Sequence, residues 1–253
     1  MTTSRVRLYL LDIEGTVAPL SLVTEQLFPY ARAHLAEFLR ERGTEADVLA
    51  DLDLLAEENQ AETELSVPRI TLTCHPERGR RGDRVEGPAF RDAALSYLLW
   101  LMDRDRKSTA LKSLQGKIWR SGFESGELKG TLFADVPGAM KRWSQESKVA
   151  IYSSGSVEAQ RLLFRYSNYG DLTPALSGYF DTRTGPKTAT ASYAAIAAAM
   201  KVTPGEVLFF SDVVRELDPA REAGCQTRLV VRDGNAPIDN GNGHSAIESF
   251  DAI

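Results

Sequence analysis

Cysteine is almost absent from this chain of 253 residues: two occur, Cys74 and Cys225, in unrelated contexts. That excludes a disulfide framework and a cysteine-based zinc cluster, and it fits a reducing compartment. Histidine is nearly as scarce. His34, His75 and His244 lie far apart, and none stands in an HExxH or GxSxG setting, so the residues lend no support to a His-based hydrolytic site. Excess positive charge is also missing. Thirty Lys and Arg against 35 Asp and Glu leave a formal net charge of -5, with no general attraction for nucleic acid or anionic lipid. The longest apolar runs, 97–102 and 194–200, fall far short of the roughly 18 residues that read as a membrane span. The opening stretch MTTSRVRLYLLD has neither the long apolar core nor the small-residue cleavage site of a signal peptide. Together these absences lead to the expectation of a cytoplasmic protein with no nucleic-acid or membrane partner, whose chemistry rests on carboxylates.

What is present is ordinary for a globular chain: 43% hydrophobic and 26% charged residues. At roughly 150 residues per domain, the length implies one to two domains. Residues 6–11 (VRLYLL) form a short apolar run that ends at Asp12, as a buried strand does. Helical spacing follows over 22–42, 46–59, 88–105 and 107–119, and a charged, glycine-containing loop is expected at 73–87. Beyond Gly130 short apolar runs alternate with helical stretches, the signature of βα units: strands at 149–152, 207–210 and 227–231, helices at 156–165, 188–200 and 214–223. The expected fold is therefore α/β: a Rossmann-like, doubly wound parallel sheet from 1–20 and 131–253, with an inserted all-helical cap at 21–130. The polar, turn-rich stretch after Gly234 reads as a loose tail.

The strongest local feature is Asp12-Ile13-Glu14-Gly15-Thr16, two carboxylates two apart at a strand end. One can serve as nucleophile or metal ligand and the other as acid and base. Ser153 and Ser154 follow the strand at 149–152, Lys187 stands in GPKT, and Asp212 follows the strand at 207–210. Asp12 and Asp212 suit a hard divalent cation such as Mg2+. Ser153, Ser154 and the amides of their turn suit phosphoryl oxygens at a helix N-terminus, and Lys187 adds positive charge against them. Taken singly, each has a plainer reading: a turn, a capped loop, a surface charge, an N-cap. Their succession along the strand ends of one parallel sheet favours a shared site.

This order resembles that of the haloacid-dehalogenase-like phosphatases. Closer still, LLDIEGTVAPLSLVTEQLFPYAR (10–32), TALKSLQGKIW (109–119), SGELKG (125–130), DVPGAMKRW (135–143), IYSSGSVEAQRLLF (151–164), GDLTPALSGYFDT (170–182) and FFSDVVREL (209–217) resemble the enolase-phosphatases of methionine salvage, the acireductone synthases. Glu at position 14 is itself a mark of that family. The resemblance implies Asp12 as nucleophile and Mg2+ ligand, Glu14 as acid and base with its carbonyl on the metal, and Asp212 as the second metal carboxylate. It implies that Ser153, Ser154 and Lys187 bind phosphoryl and substrate oxygens and that Glu216 orients a metal-bound water. It further implies a monomer with one Mg2+ per subunit and a small phosphorylated substrate. That substrate, 2,3-diketo-5-methylthiopentyl-1-phosphate, is enolised and then dephosphorylated to the acireductone. No dedicated enolisation base stands out; Glu14 or a cap residue is the candidate.

The chain departs from the family at Val17-Ala18, Arg165 and Asp218-Pro219, and Pro219 leads to the expectation that the last core helix begins near Asp218 or bends there. Tyr97, Leu98, Trp100, Leu101, Ile118 and Trp119 read as cap core. Two other functions fit parts of the pattern. A signalling receiver also gathers acids, a hydroxyl and a lysine on a parallel sheet, but there the lysine comes last, whereas Lys187 precedes Asp212. A phosphatase of the same superfamily acting on another phosphomonoester shares the core motifs and differs only in the cap.

Overall fold

The computed structural model describes residues 5–70, 87–237 and 241–253. The loop expected at 73–87, with Cys74 and His75, lies outside the described residues except for Gly87. The chain divides into two compact units, residues 1–26 with 123–253, and residues 27–122.

The first unit is built on a six-stranded parallel sheet. Its strands are β1 (Leu8–Leu11), β2 (Lys148–Tyr152), β3 (Gly178–Phe180), β4 (Val207–Ser211), β5 (Gln226–Val230) and β6 (Ala246–Ile247), ordered β3-β2-β1-β4-β5-β6. β1 pairs with β2 on one side and β4 on the other, Leu10 opposite Ala150 and Phe209. These three strands are apolar on both faces because both faces are covered. On one face Leu8, Leu10, Ala150, Tyr152 and Phe209 pack with Tyr193 and Ile196 of α7 (Thr190–Ala199) and with Leu217 and Ala220 of α8 (Val214–Glu222). On the other, Trp143 of α5 (Val136–Trp143) stacks on Tyr9, ring centroids 4.4 Å apart, and on Phe210 at 5.5 Å. The sheet is thus doubly wound, as its alternating pattern implies. The buried thiol of Cys225 is pushed up to about 12 by burial, which keeps it an inert core group.

Among the strands and α-helices described in this unit, α5, the three-residue β3 and the two-residue β6 are not foreshadowed by the pattern. The expectation of a loose tail after Gly234 is overturned. β6 extends the sheet beside β5. Phe250 is fully buried, edge-on to Phe210 and Trp143. The Asp135 carboxylate accepts hydrogen bonds from the Phe250 amide (2.7 Å), Arg232 Nη2 (2.9 Å) and Ser249 Oγ (3.2 Å). Buried His244 hydrogen-bonds Thr227 Oγ1 through Nδ1 (2.7 Å) and Asp218 Oδ1 through Nε2 (3.0 Å). Several polar groups of its described part thus have fixed partners, although residues such as Asn242, Ser245 and Glu248 stay exposed. α8 begins at Val214, so Pro219 stands inside the helix rather than near its start; lacking an N–H, it gives up one helical bond to the Arg215 carbonyl.

The second unit is helical: α1 (Phe28–Arg42), which follows a π-helical turn at Leu22–Leu27, α2 (Ala46–Ala61), α3 (Pro88–Asp103) and most of α4 (Thr109–Ser125). Its core gathers Leu35, Leu52, Leu55, Leu98, Leu114 and Ile118. Tyr97, Trp100 and Leu101 belong to the same core, with Trp119 packed partly buried against it. Asn59 is buried there with both ends of its amide used, donating to Pro68 O and accepting from Ile70 N, each at 2.9 Å. Among the described residues no helix is long and apolar enough to cross a membrane.

If the C-terminal segment is a working part of the core, Phe250→Ala should lower the unfolding free energy by about 3 kcal/mol, the usual scale for emptying an aromatic site. Urea unfolding followed by tryptophan fluorescence measures it; a change within error of zero would restore the loose-tail view.

Candidate active site

The sheet reverses its winding direction between β1 and β4, and open α/β sheets bind ligands beyond the strand ends at such a reversal. Asp12 and Asp212 are the residues that leave these two strands. The ladder carries one step past β1, Asp12 N donating to Phe210 O at 3.0 Å. The chain then folds tightly: the amides of Thr16, Val17 and Ala18 all donate to Ile13 O at 2.9–3.2 Å, and Gly15 N donates to Ala18 O at 2.8 Å. Val17 and Ala18 are fully buried within this turn. Gly15 has φ +69°, and a Cβ there would lie 2.3 Å from Asp212 Oδ2. Glycine is required twice over, by the left-handed backbone and by the closeness of Asp212.

Lys187 arrives on the loop that follows β3. Its Nζ lies 2.7 Å from Asp12 Oδ1 and 2.5 Å from Glu216 Oε2, and the side chain is 9% exposed. Three hydroxyls hold the three successive carbonyls that end at Lys187. Tyr152 Oη donates to Gly185 O (2.8 Å), Ser192 Oγ to Pro186 O (2.8 Å) and Tyr193 Oη to Lys187 O (2.7 Å), with Glu216 O also 2.8 Å from Tyr193 Oη. Burial pushes the Tyr193 phenol far above its usual range, so it stays a donor.

The charges in this cluster constrain each other. Burial alone would push Lys187 down, but the Asp12 and Glu216 carboxylates outweigh it and hold the ammonium above its ordinary value. Glu216 is raised by burial and by the charge of Asp12, with Lys187 opposing. Asp212 is pushed up to about 7, first by burial and then by Asp12. Ser211 Oγ stands between two carboxylates, 3.1 Å from Glu216 Oε2 and 3.4 Å from Asp12 Oδ2, and with one proton it serves the nearer.

Ser153, buried at the end of β2, accepts a 3.2 Å hydrogen bond from Gly155 N, whereas Ser154 is exposed. Ser156 caps α6 (Val157–Arg165) by accepting from Ala159 N, so the Ser153-Ser154-Gly155 turn runs into a helix N-terminus. The Gln160 amide donates to Gly155 O (2.8 Å) and Phe180 O (2.9 Å), fastening the turn to β3. The structure thus brings Asp12, Lys187 and Asp212 into one cluster, with Ser153 on the neighbouring strand end. Glu14 is half-buried two residues past Asp12, its backbone bridged to Ala18. Glu216 lies against Lys187 and Ser211. The sequence pattern did not single out Ser211, Tyr152, Ser192 or Tyr193, since a hydroxyl in an apolar strand or helix reads as core.

The donor set fits a hard cation. Asp212 Oδ1 is buried without a hydrogen-bond partner, beside a second carboxylate whose charge it opposes. Among the described residues no group of three or more His, Cys, Asp and Glu side chains is placed to hold a metal; Asp12 and Asp212 are hard oxygen donors of the kind Mg2+ takes together with water. In chelator-treated protein at pH 8, Asp212→Asn should therefore be more stable than wild type, by on the order of 1 kcal/mol, because it removes a half-buried charge facing Asp12. Thermal unfolding reads the difference; a lower midpoint would mean that Asp212 is stabilised in the protein without metal.

Comparison with known proteins agrees with this geometry. The profile of the haloacid dehalogenase-like hydrolases matches residues 6–224. Enolase-phosphatase E1 of Synechococcus elongatus is 51% identical over 245 residues, 96% of each chain. Enolase-phosphatase E1 of Serratia proteamaculans is 42% identical, over 98% of this chain and 96% of that one. The crystal structure of the UTR4 protein of Saccharomyces cerevisiae superposes with a TM-score of 0.75 at 34% identity, covering 98% of this chain and all (100%) of that one. The HAD-hydrolase YfnB of Bacillus subtilis, solved with magnesium, shares the fold at a TM-score of 0.53 and 15% identity. With its strand-end carboxylates, buried lysine and these relatives, the chain belongs to the haloacid dehalogenase-like hydrolases and, within them, to the enolase-phosphatases.

Proposed function

We propose that the chain converts 2,3-diketo-5-methylthiopentyl-1-phosphate into acireductone and phosphate in two steps, enolisation and then dephosphorylation, in methionine salvage. The observation that carries the reading is the 2.7 Å pairing of the buried Lys187 ammonium with Asp12 at the sheet's winding reversal. It fixes the orientation of the Asp12 carboxylate through a direct ion pair. Near full-length likeness to enolase-phosphatases supports the substrate.

In this reading an Asp12 oxygen attacks the phosphorus, the bond from phosphorus to the substrate oxygen breaks, and Glu14 gives that oxygen a proton. Water then attacks the aspartyl-phosphate, Glu14 takes its proton, and phosphate leaves with Asp12 restored. Lys187, Ser153 and Ser154 hold phosphoryl and substrate oxygens, with the amides of the turn before α6 adding donors. Asp12, Asp212 and the Glu14 carbonyl would hold Mg2+, which when bound offsets the repulsion between a phosphoryl dianion and the carboxylates. Family resemblance also carries a monomer in the cytoplasm, with one Mg2+ per subunit. Glu14 is assigned the enolisation proton as well.

Phosphate release and enol absorbance, followed together from the diketo phosphate with Mg2+ or chelator, test the assignment. Wild type should turn over only with Mg2+ and pass through an enol, and Asp12→Asn should lose at least about 10³-fold in kcat. Release from generic sugar phosphates but not from the diketone would keep the phosphatase and overturn the substrate. A second arm concerns Glu14. Glu14→Gln should lose both enolisation and phosphate release; retained enolisation would remove Glu14 from the first step.

A further inference from the structure

The turn that carries Glu14 is held from outside at three successive carbonyls. Gly15 O accepts from Asn235 Nδ2 (2.9 Å), Thr16 O from Arg232 Nε (3.2 Å) and Val17 O from Phe133 N (3.0 Å). Two of these donors are side chains from the turn just beyond β5. That turn is itself closed, Asn235 N donating to Arg232 O at 3.1 Å, with Gly234 at φ +88°.

Arg232 is fixed on every side. Its side chain is 7% exposed, Nη1 donates to Glu248 O and Nη2 to Asp135 Oδ2, each at 2.9 Å. The guanidinium carbon lies 4.5 Å from the Phe133 ring centroid and 4.8 Å from that of Phe250. A planar fork can bond three acceptors on three segments at once, which an ammonium on a flexible stem cannot. Asn235 approaches as closely as the turn allows: its Oδ1 lies 3.0 Å from where a Cβ on Gly15 would stand.

We propose that Arg232 and Asn235 are positioning residues for Glu14, fixing the backbone on which this acid and base is carried. The inference rests on the reading of Glu14 as the acid and base. A proton-transfer group must come within about 2.6–3.2 Å of its partner, and a misplacement of about 1 Å can cost on the order of 100-fold in rate. Glu14 sits one residue before Gly15 and two before Thr16. A shift of those two carbonyls therefore moves the Glu14 Cα directly. The hydrogen bonds of Arg232 Nε and Asn235 Nδ2 go to the Thr16 and Gly15 carbonyls and not to a proposed substrate or metal group, so this effect passes through the turn.

The test combines a double-mutant cycle with hydrogen exchange. Asn235→Ala should lower kcat on the diketo phosphate about 10- to 100-fold at near-constant KM, and Arg232→Lys should act in the same direction. In the Glu14→Gln background, Asn235→Ala should cost nothing further, because the group it positions is gone. In protein free of metal, the amides of residues 15–18 should exchange faster in Asn235→Ala than in wild type, while the thermal midpoint stays close. Equal losses in both backgrounds, an unchanged kcat, or unchanged exchange in the turn would each overturn the positioning role. Wild-type rates in Glu14→Gln itself would instead overturn the assignment of Glu14, a separate failure. If the Glu14→Gln background is too slow to measure, exchange and the kcat of the single variant decide. If Arg232→Lys fails to fold, Asn235→Ala alone decides, since Asn235 is only partly buried.

Discussion

A buried ammonium set among more carboxylates than it can neutralise is the constraint around which this core is arranged. Lys187 meets Asp12 and Glu216 directly, and Asp212 adds a further acid close by. Burying one such charge without a partner would cost several kcal/mol, so each group here is tied to the others. The arrangement also explains why the loop of Lys187 is so thoroughly bonded. Tyr152, Ser192 and Tyr193 each hold one carbonyl of it, which keeps the ammonium from swinging toward water and leaving its carboxylates unpaired. The negative charge that remains is the charge a bound cation would offset, and the Asp212 oxygen without a hydrogen-bond partner stands beside it.

The sheet order supplies the geometry. β1 lies centrally, and its neighbours β2 and β4 deliver Ser153 and Asp212 to either side of Asp12. Parallel strands present all these ends on the same edge, so residues far apart in sequence meet without long side chains having to reach. The polar ends depend on the apolar middles: Leu10, Ala150 and Phe209 lie in register and are fully buried.

Much of this was legible before any coordinates. The central strands are apolar on both faces and stop at an acid, a serine or a serine-aspartate pair, which marks both strand and site. Asp12, Ser153 and Asp212 could be placed at strand ends from the chain alone, whereas Lys187, also expected at one, comes from the loop between β3 and α7. What could not be read has a common cause in short or locally ambiguous sequence. β3 and β6 are too brief to show alternation, and β3 contains Gly178. The segment from Gly241 onward reads as solvent-loving, since nothing in its composition says that His244 meets Thr227 and Asp218 or that Phe250 enters the core. Pro219 reads as a helix start or a bend; the helix, expected over 214–223, begins at Val214 with Pro219 inside it. Nothing in the sequence singles out Arg232 or Asn235, because the carbonyls they meet belong to a loop near the other end of the sequence. Glu216 stands out in the sequence only through the family resemblance, and its pairing depends on where Lys187 lands, which is a tertiary fact.

The central position of β1 also bears on how the chain reaches this state. β1 is made before both strands that flank it, at 148–152 and 207–211, which come far later in the chain. Closing such long loops is slow relative to forming local contacts. The helical unit is contiguous, with a core of its own drawn from 31–118, so it can gather while β1 still has no neighbours. A ribosome making this protein would therefore carry a formed helical unit beside an unpaired apolar strand. The exposed interval of Leu8, Leu10 and Leu11, rather than the chemistry of the site, would then set the demand for chaperones.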